Sequence, residues 1–177
     1  DVLFGDYNPS AKLPISFPRT EGQIPIYYNH YNTGRPAHND SDLNYVSAYI
    51  DLPNSPKYAF GHGLSYTAFS YSDIQLNKKN IKPGEKLSVK CVVSNTGNYD
   101  GEETVQFYIR DLFGSVVRPV KELKGFQKIY LKKGESKTVE FMLTADELRF
   151  YNDKLQFIYE PGDFHVFVGG SSDNVKE

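Results

Sequence analysis

The stretch GHGLSYT, residues 61–67, brings a serine and a histidine together between two glycines. A serine nucleophile on a sharp strand-to-helix turn needs the order G-x-S-x-G, which the run from Gly61 to Ser65 does not follow. No general base lies near Ser65 at a sequence spacing typical of a catalytic pair. No partner residues therefore support a role for Ser65 as a nucleophile. We therefore interpret the stretch as a junction between two parts of the chain, in which the glycines allow unusual backbone shapes.

Two acidic clusters are the next candidates, because paired carboxylates can act as acid and base. They are YDGEE, with Asp100, Glu102 and Glu103, and ADEL, with Asp146 and Glu147. Neighbouring acids between two strands usually form a solvated turn with a charged strand start, and acids in the first turn of a helix are favoured by its dipole. We expect both clusters to be structural, with Thr144 as the N-cap of a short helical turn, and we assign no catalytic residue.

The histidines and the single cysteine do not form a metal site by spacing. His30, His38, His62 and His165 show no i, i+4 ligand pair, and His165 should face outward on the last strand. Cys91 alternates with apolar residues in KLSVKCVVSN, which predicts a buried thiol. We expect no metal and no cofactor.

The stretch YYNHYNTGRP combines aromatic rings with amides, which are the groups that sugar sites use. Rings can stack on pyranose faces, while amides bond hydroxyl groups. The candidates for substrate contact or for the rim of a cleft are Tyr27, Tyr28, Asn29, Asn32 and Arg35. The alternative, which we favour, is that these residues pack against other parts of the protein.

Composition limits the possible functions. The 177 residues carry a net charge of -2, with 20 basic and 22 acidic residues, which gives no electrostatic case for nucleic acid. No apolar run approaches the length of about 20 residues that a membrane span needs. The opening DVLFGDYNPS shows no secretion signal and reads as a cut inside a longer protein.

The chain divides into two unlike parts. Residues 1–60 hold most of the prolines and lack regular periodicity; KLPISF and IPIYY could be edge strands or strand starts. Residues 61–177 contain about seven short alternating segments separated by glycine-containing turns. This pattern predicts an antiparallel β-sandwich of immunoglobulin or fibronectin type III shape. At its start, Leu64 and Tyr66 should anchor the first strand, and Gly63 could take a positive φ.

Several long motifs carry a family resemblance, in order along nearly the whole chain. LFGDYNPSAKLPISFPRTEGQIPIYYNHYNTGRP resembles the end of the α/β sandwich domain of β-glucosidases and β-xylosidases of glycoside hydrolase family three. YAFGHGLSYTAFSYS resembles the link to that family's fibronectin type III-like domain, and VSNTGNYDGEETVQFYIRD and EPGDFHVFVGG resemble strands of that domain. The resemblance implies the tail of an α/β domain and linker in residues 1–60, and the sandwich in residues 61–177.

The resemblance also implies a function for the parent protein. Members of this family are retaining glycosidases whose catalytic acids lie upstream of the part that is similar to this chain. Retaining hydrolysis needs two carboxylates about 5 to 5.5 Å apart, one of them with a raised pKa. The chain would then be a non-catalytic structural portion, and its partners would be the upstream barrel and α/β domains. A glucoside or xyloside would bind only through the parent protein. A homodimer is also possible. Periplasmic or secreted localisation is favoured by the resemblance, with the cytoplasm possible.

Three side chains should face outward from their strands and could dock against other domains: Tyr108, Met142 and Phe167. A carbohydrate-binding sandwich is the first alternative function, and it predicts a row of exposed aromatics on one sheet face. An adhesion-type sandwich that acts through protein contacts is the second alternative. That alternative would leave the resemblance of residues 1–60 unexplained.

Overall fold

The computed structural model describes residues 1–42 and 44–177 of the chain. Within these residues, ten antiparallel strands form two four-stranded sheets and a separate two-stranded hairpin, as predicted for a mainly β-sandwich. The strands are β1 (Phe69–Tyr71), β2 (Gln75–Leu76), β3 (Lys86–Asn95), β4 (Gly101–Asp111), β5 (Glu122–Leu131), β6 (Ser136–Thr144), β7 (Phe150–Tyr151), β8 (Phe157–Ile158), β9 (Phe164–Gly169) and β10 (Val175–Lys176).

The first sheet is centred on β3. Strand β6 pairs with nearly all of one edge of β3, so that Leu87 faces Leu143 and Cys91 faces Val139. Strands β1 and β2 pair with different parts of β3, and together they form the other edge. One predicted segment, FSYSDIQL, is therefore divided into two strands, which partly explains why ten strands replace the expected seven.

The second sheet has the order β10-β9-β4-β5. In β4, Val105, Phe107 and Ile109 point into the sandwich, and Val168 of β9 pairs with Phe107. Together with β3, β5 and β6, these side chains form one apolar core between the sheets. Alternation along the strands creates this core, since every second residue faces inward. Cys91 lies within it, as predicted, and burial raises the pKa of its thiol.

Three short 3₁₀ helices complete the regular structure of the described residues: Val2–Phe4, Glu21–Gln23 and Ala145–Leu148. The last is the helical turn predicted in ADEL. The Thr144 hydroxyl accepts a hydrogen bond from the Asp146 N–H at 3.3 Å, and the Glu147 carboxylate accepts one from the Thr144 N–H at 2.7 Å. These reciprocal bonds satisfy donors that the start of a helix would otherwise leave unpaired.

The described part of residues 1–60 contains no strand of two or more residues, so the strands expected in KLPISF and IPIYY are wrong. From KLPISF, only Phe17 forms an isolated bridge, which pairs it with Tyr58. Hydrogen bonds replace regular pairing. Buried Gln23 donates to the Pro53 and Ser55 carbonyls, at 2.8 and 3.2 Å. Each proline lacks an N–H, which limits ladder formation in this proline-rich stretch.

Candidate functional site

Two of the five candidate sugar-contact residues, Tyr27 and Tyr28, line one open groove, which we call the Tyr27 groove. It has a volume of about 590 Å³, and its lining includes Tyr27, Tyr28, His30, His38, Asp40 and Lys121. The segment that carries YYNHYNTGRP forms one wall, and the connection leading into β5 forms another. The fold therefore brings residues 1–60, which we call the aperiodic segment, against the sandwich.

Tyr28 is held firmly in this groove. Its ring stacks on Phe60 with centroids 4.2 Å apart, and it meets Tyr108 edge to face at 5.8 Å. Its hydroxyl accepts a hydrogen bond from the Leu123 N–H at 3.2 Å. Such contacts stabilise packing between the two parts of the chain. These contacts favour the alternative that Tyr28 packs against other parts of the protein.

The other four candidates are exposed. Tyr27 lines the groove, whereas Asn29, Asn32 and Arg35 do not. The N–H of Arg35 donates to the Thr33 hydroxyl at 3.3 Å, which is a local turn contact. The structure therefore places two of the five predicted residues on one groove, and the sugar-contact role of all five stays a prediction.

Lys121 is a charged residue of this groove that the sequence analysis missed. Its ammonium lies 4.7 Å from the ring centre of Phe167 and 5.9 Å from that of Tyr108, and it donates to the Ser172 carbonyl at 2.6 Å. Burial lowers the pKa of this ammonium. Cation–π contacts offset part of the cost of removing the charge from water. The signal in the sequence is weak, because RPVKEL has no distinctive period.

Tyr108 and Phe167 face outward from the second sheet, but their expected exposure is wrong because both are buried. Tyr28 covers Tyr108, while Lys121 covers both rings. Met142 is about half exposed, in agreement with its predicted face. The row of exposed aromatics that a carbohydrate-binding sandwich would need cannot be built from Tyr108 and Phe167. The docking role of all three remains a prediction.

The acidic clusters are engaged in structural contacts. Glu102 is paired with Lys128 at 2.7 Å, and this ammonium lowers the pKa of the Glu102 carboxyl. The Lys133 N–H and the Tyr130 hydroxyl hydrogen-bond to Asp100 and lower its pKa. A general acid at neutral pH would need the opposite shift.

Glu103 corrects the expectation of a solvated turn. The last three residues of YDGEE belong to β4, and Glu103 is only 5% exposed because it lies on the same strand face as Val105. Its carboxylate accepts hydrogen bonds from the Lys12 ammonium at 3.2 Å and the Tyr71 hydroxyl at 2.6 Å. The sequence analysis did not anticipate this contact, since Lys12 lies in the aperiodic segment.

Asp111, at the end of β4, is an acid whose pKa burial raises, and sequence reasoning did not single it out. The guanidinium of Arg118 lies 3.4 Å from its carboxylate. The same guanidinium pairs with Glu122 at 2.8 Å and lies over the Phe150 ring at 4.1 Å. This arrangement joins the connection after β4 to β5 and β7. These contacts give Asp111 a structural role.

The GHGLSYT stretch lines a second groove of about 400 Å³. The Ser65 hydroxyl donates to the Asn8 side chain at 2.9 Å and accepts from the Thr67 N–H at 3.3 Å. His62 instead packs against Tyr58, with ring centres 5.1 Å apart. The serine is therefore bonded to an amide and not to a base, as the junction interpretation expects.

Two details of the junction differ from expectation. Leu64 is 75% exposed and does not anchor the first strand in the core. The positive φ occurs at Gly61 and not at Gly63. Gly63 is needed for a different reason, since a Cβ atom there would lie 2.5 Å from the Ala11 carbonyl oxygen. Close backbone approach thus requires a glycine at this position.

His165, on β9, is partly exposed, and its ring lies beside the carboxylate of Glu177, which directly follows β10. Within residues 1–42 and 44–177, no three His, Cys, Asp or Glu side chains lie together as a metal-binding group. The same described ranges contain no helix long and apolar enough to cross a membrane.

Comparison with known proteins accounts for both parts of the chain. Residues 1–66 match the family model described as Glycosyl hydrolase family 3 C-terminal domain, and residues 103–172 match the fibronectin type III-like domain. The periplasmic β-glucosidase of Salmonella typhimurium is 50% identical over 177 residues, which is 100% of this chain and 23% of that protein. The chain belongs to glycoside hydrolase family 3.

Other relatives support this family 3 assignment. A putative β-xylosidase of Formosa agariphila is 41% identical over 99% of this chain and 22% of its own length. The crystal structure of a β-glucosidase from Listeria innocua superimposes with a TM-score of 0.93 at 47% identity, covering 99% of this chain and 24% of that one. The chain thus spans less than a quarter of these relatives and corresponds to the C-terminal part of β-glucosidase-like proteins.

Proposed function

We propose that this family 3 chain is a non-catalytic structural portion of a retaining β-glycosidase. The parent would hydrolyse terminal, non-reducing β-D-glucosyl or β-D-xylosyl residues, and this chain would pack on the upstream barrel and α/β domains and stabilise them. The observation that carries the proposal is the end-to-end match to proteins named β-glucosidase and β-xylosidase, of which the chain spans less than a quarter. The periplasmic name of the Salmonella relative favours an extracytoplasmic parent.

Exposed apolar side chains in residues 1–60 support a packing role. Leu3, Phe4, Ile24 and Ile50 are all strongly exposed. Leu3 and Phe4 line an open groove of about 680 Å³ with Tyr66 and Tyr99, close to the point where a preceding chain would enter. Contiguous apolar surface of this kind is typical of interfaces. We infer that upstream domains cover it in the parent.

The Tyr27 groove fits a secondary role at the rim of the parent's cleft. Its exposed tyrosine lies beside hydrogen-bonding groups such as His38 and Asp40. Asn29, Asn32 and Arg35 follow on the same exposed segment. In this proposal they contact substrate only in the assembled parent.

Hydrolysis by the chain alone tests the non-catalytic role. Purified chain should show no turnover of aryl β-glucosides or β-xylosides above background, because the acids of YDGEE and ADEL serve structural contacts. Glu102→Gln and Glu103→Gln should leave that background unchanged. Turnover that survives purification and disappears in either variant would overturn the proposal.

A further inference from the structure

The β7–β8 hairpin presents an aromatic face that the proposed function does not use. Tyr151 pairs directly with Phe157, and Phe150 pairs with Ile158. Alternation therefore places Tyr151 and Phe157 on one face of the hairpin, while Phe150 is buried on the other. Tyr159, which directly follows β8, is also exposed.

These aromatic side chains are contiguous. The rings of Tyr151 and Phe157 lie 4.9 Å apart with an interplanar angle of 38°, and both are at least half exposed. The Arg149 guanidinium lies 5.9 Å from the Phe157 ring centre and 5.8 Å from that of Tyr159. The guanidinium therefore bridges two of the three rings. Scattered exposed aromatics are ordinary, but a connected group indicates an interaction site.

The turn that joins the two strands is rigidly held. The Asn152 side-chain carbonyl accepts from the Lys154 and Gln156 N–H groups at 3.0 and 2.9 Å. Leu155 has a φ of 58° and is exposed. A leucine in the left-handed region is strained, and such strain often occurs at sites that hold a ligand. The turn thus keeps an apolar side chain in solvent at a local cost.

A polar groove of about 270 Å³ adjoins the aromatic face. Its lining includes Glu85, Lys86, Asp146, Arg149 and Tyr159. Arg149 pairs with Asp146 at 3.0 Å. Charges of both signs lie together here, which suits a neutral ligand with many hydroxyl groups better than a strongly charged one. Carboxylates accept hydrogen bonds from hydroxyls, and guanidinium groups donate to them.

We propose that Tyr151, Phe157 and Tyr159, with Arg149 and the polar groove, form a binding site for a neutral β-linked oligosaccharide chain of glucose or xylose. Aromatic rings provide flat apolar surface for the C–H faces of the sugars, while the groove bonds their hydroxyls. The choice of glucose or xylose rests on the proposed function. This site is separate from the Tyr27 groove and uses none of the residues predicted to bind sugar.

Titration of the 177-residue chain with cellohexaose, xylohexaose and laminarihexaose, followed by amide NMR, tests the site. At least one probe should shift the amides of residues 149–159. Tyr151→Ala or Phe157→Ala should weaken that binding by about tenfold or more. Phe126→Ala is the matched control, because Phe126 is 67% exposed on β5 and Tyr151 is 64% exposed. The control should bind like the wild type.

A further variant keeps the test valid if the alanine variants unfold. Tyr151→Leu retains apolar area but removes the ring, so it should still weaken sugar binding. Absence of shifts in residues 149–159 at millimolar concentrations of all three probes would overturn the proposal. Equal binding by Tyr151→Leu and wild type would also overturn it. Because the isolated chain is used, failure to assemble with upstream domains would count against the proposed function and not against this site.

Discussion

The ion pair between Lys12 and Glu103 links the aperiodic segment to the sandwich through single side chains. The ammonium lies 3.1 Å from one carboxylate oxygen, and both side chains are largely removed from water. Tyr71 adds a hydrogen bond from β1 to the same carboxylate. Three separate parts of the chain therefore meet at Glu103. Removing one partner of such a pair leaves an uncompensated charge, which costs more than the intact pair contributes.

Lys12→Met should lower the free energy of unfolding by about 3 kcal/mol, because Glu103 would remain buried without its counter-charge. Lys128→Met is the matched control, since the Lys128–Glu102 pair is exposed and its loss should cost less than about 1 kcal/mol. Urea denaturation measures both values. Equal costs for the two variants would contradict the assigned role of the Lys12 pair.

One buried tyrosine, Tyr108, and one partly buried tyrosine, Tyr71, predict a loss of stability in alkaline solution. Burial, reinforced by the Glu103 charge, raises the pKa of Tyr71, and burial raises the pKa of Tyr108. In the unfolded chain tyrosine titrates at about pH 10. Above that pH the unfolded chain releases protons that the native chain keeps, so the free energy of unfolding should fall as pH rises.

Urea denaturation between pH 8 and 11 measures this slope. Tyr71→Phe should show a smaller decline above about pH 10 than wild type, since one linked proton is absent. Lys121 acts in the reverse direction, because burial lowers its pKa, and it is present in both proteins. Identical slopes for wild type and variant would show that Tyr71 is not linked to folding in this way.

At the scale of the elements, the junction connects the two parts through backbone as well as side chains. The Leu13 N–H donates to the His62 carbonyl at 2.8 Å, and the Gly61 N–H donates to the Leu13 carbonyl at the same distance. Gly63 fits beside this pairing because it has no side chain. The segment before the first strand is thus fixed to residues 11–13.

Gly63→Ala should destabilise the chain by more than about 1 kcal/mol, because its Cβ would lie 2.5 Å from the Ala11 carbonyl oxygen and force the backbone apart. Gly34→Ala is the control, since a Cβ there meets nothing within 4 Å. That change should be neutral or stabilising by up to about 1 kcal/mol. Thermal denaturation compares them, and a harmless Gly63→Ala would disprove the close-approach argument.

The long strands could be predicted from the sequence because alternation extends over many residues. The alternation predicted which residues of β3 and β6 point into the core, and it also predicted that Cys91 is buried. Glu103 was also predictable, had the inward period of Val105 and Phe107 been extended backward by two residues. The exposure of Leu64 could not be predicted, since GHGLSYT is too short and too rich in glycine to show a period. Two-residue strands such as β10 likewise leave no pattern.

At the scale of the whole molecule, residues 1–61 partly cover the outer face of the second sheet. Gln106, on that face, donates to the Gly61 and Gly170 carbonyls at 3.2 and 2.7 Å, and Tyr108 lies under Tyr28. The sequence predicted the faces of these strands but not their cover, because an aperiodic segment does not reveal where it packs. The Tyr27 groove forms by the same tertiary contacts, so only its aromatic and amide side chains could be proposed beforehand.

The structural role in a β-glycosidase is tested most directly by reconstituting the parent from two polypeptides: this chain and the remainder. Hydrolysis of an aryl β-glucoside and an aryl β-xyloside is measured for each piece and for an equimolar mixture. The account predicts no turnover by this chain, low or short-lived turnover by the remainder, and recovery of stable activity in the mixture. Turnover by this chain alone, or full and equally stable activity of the remainder without it, would contradict the account.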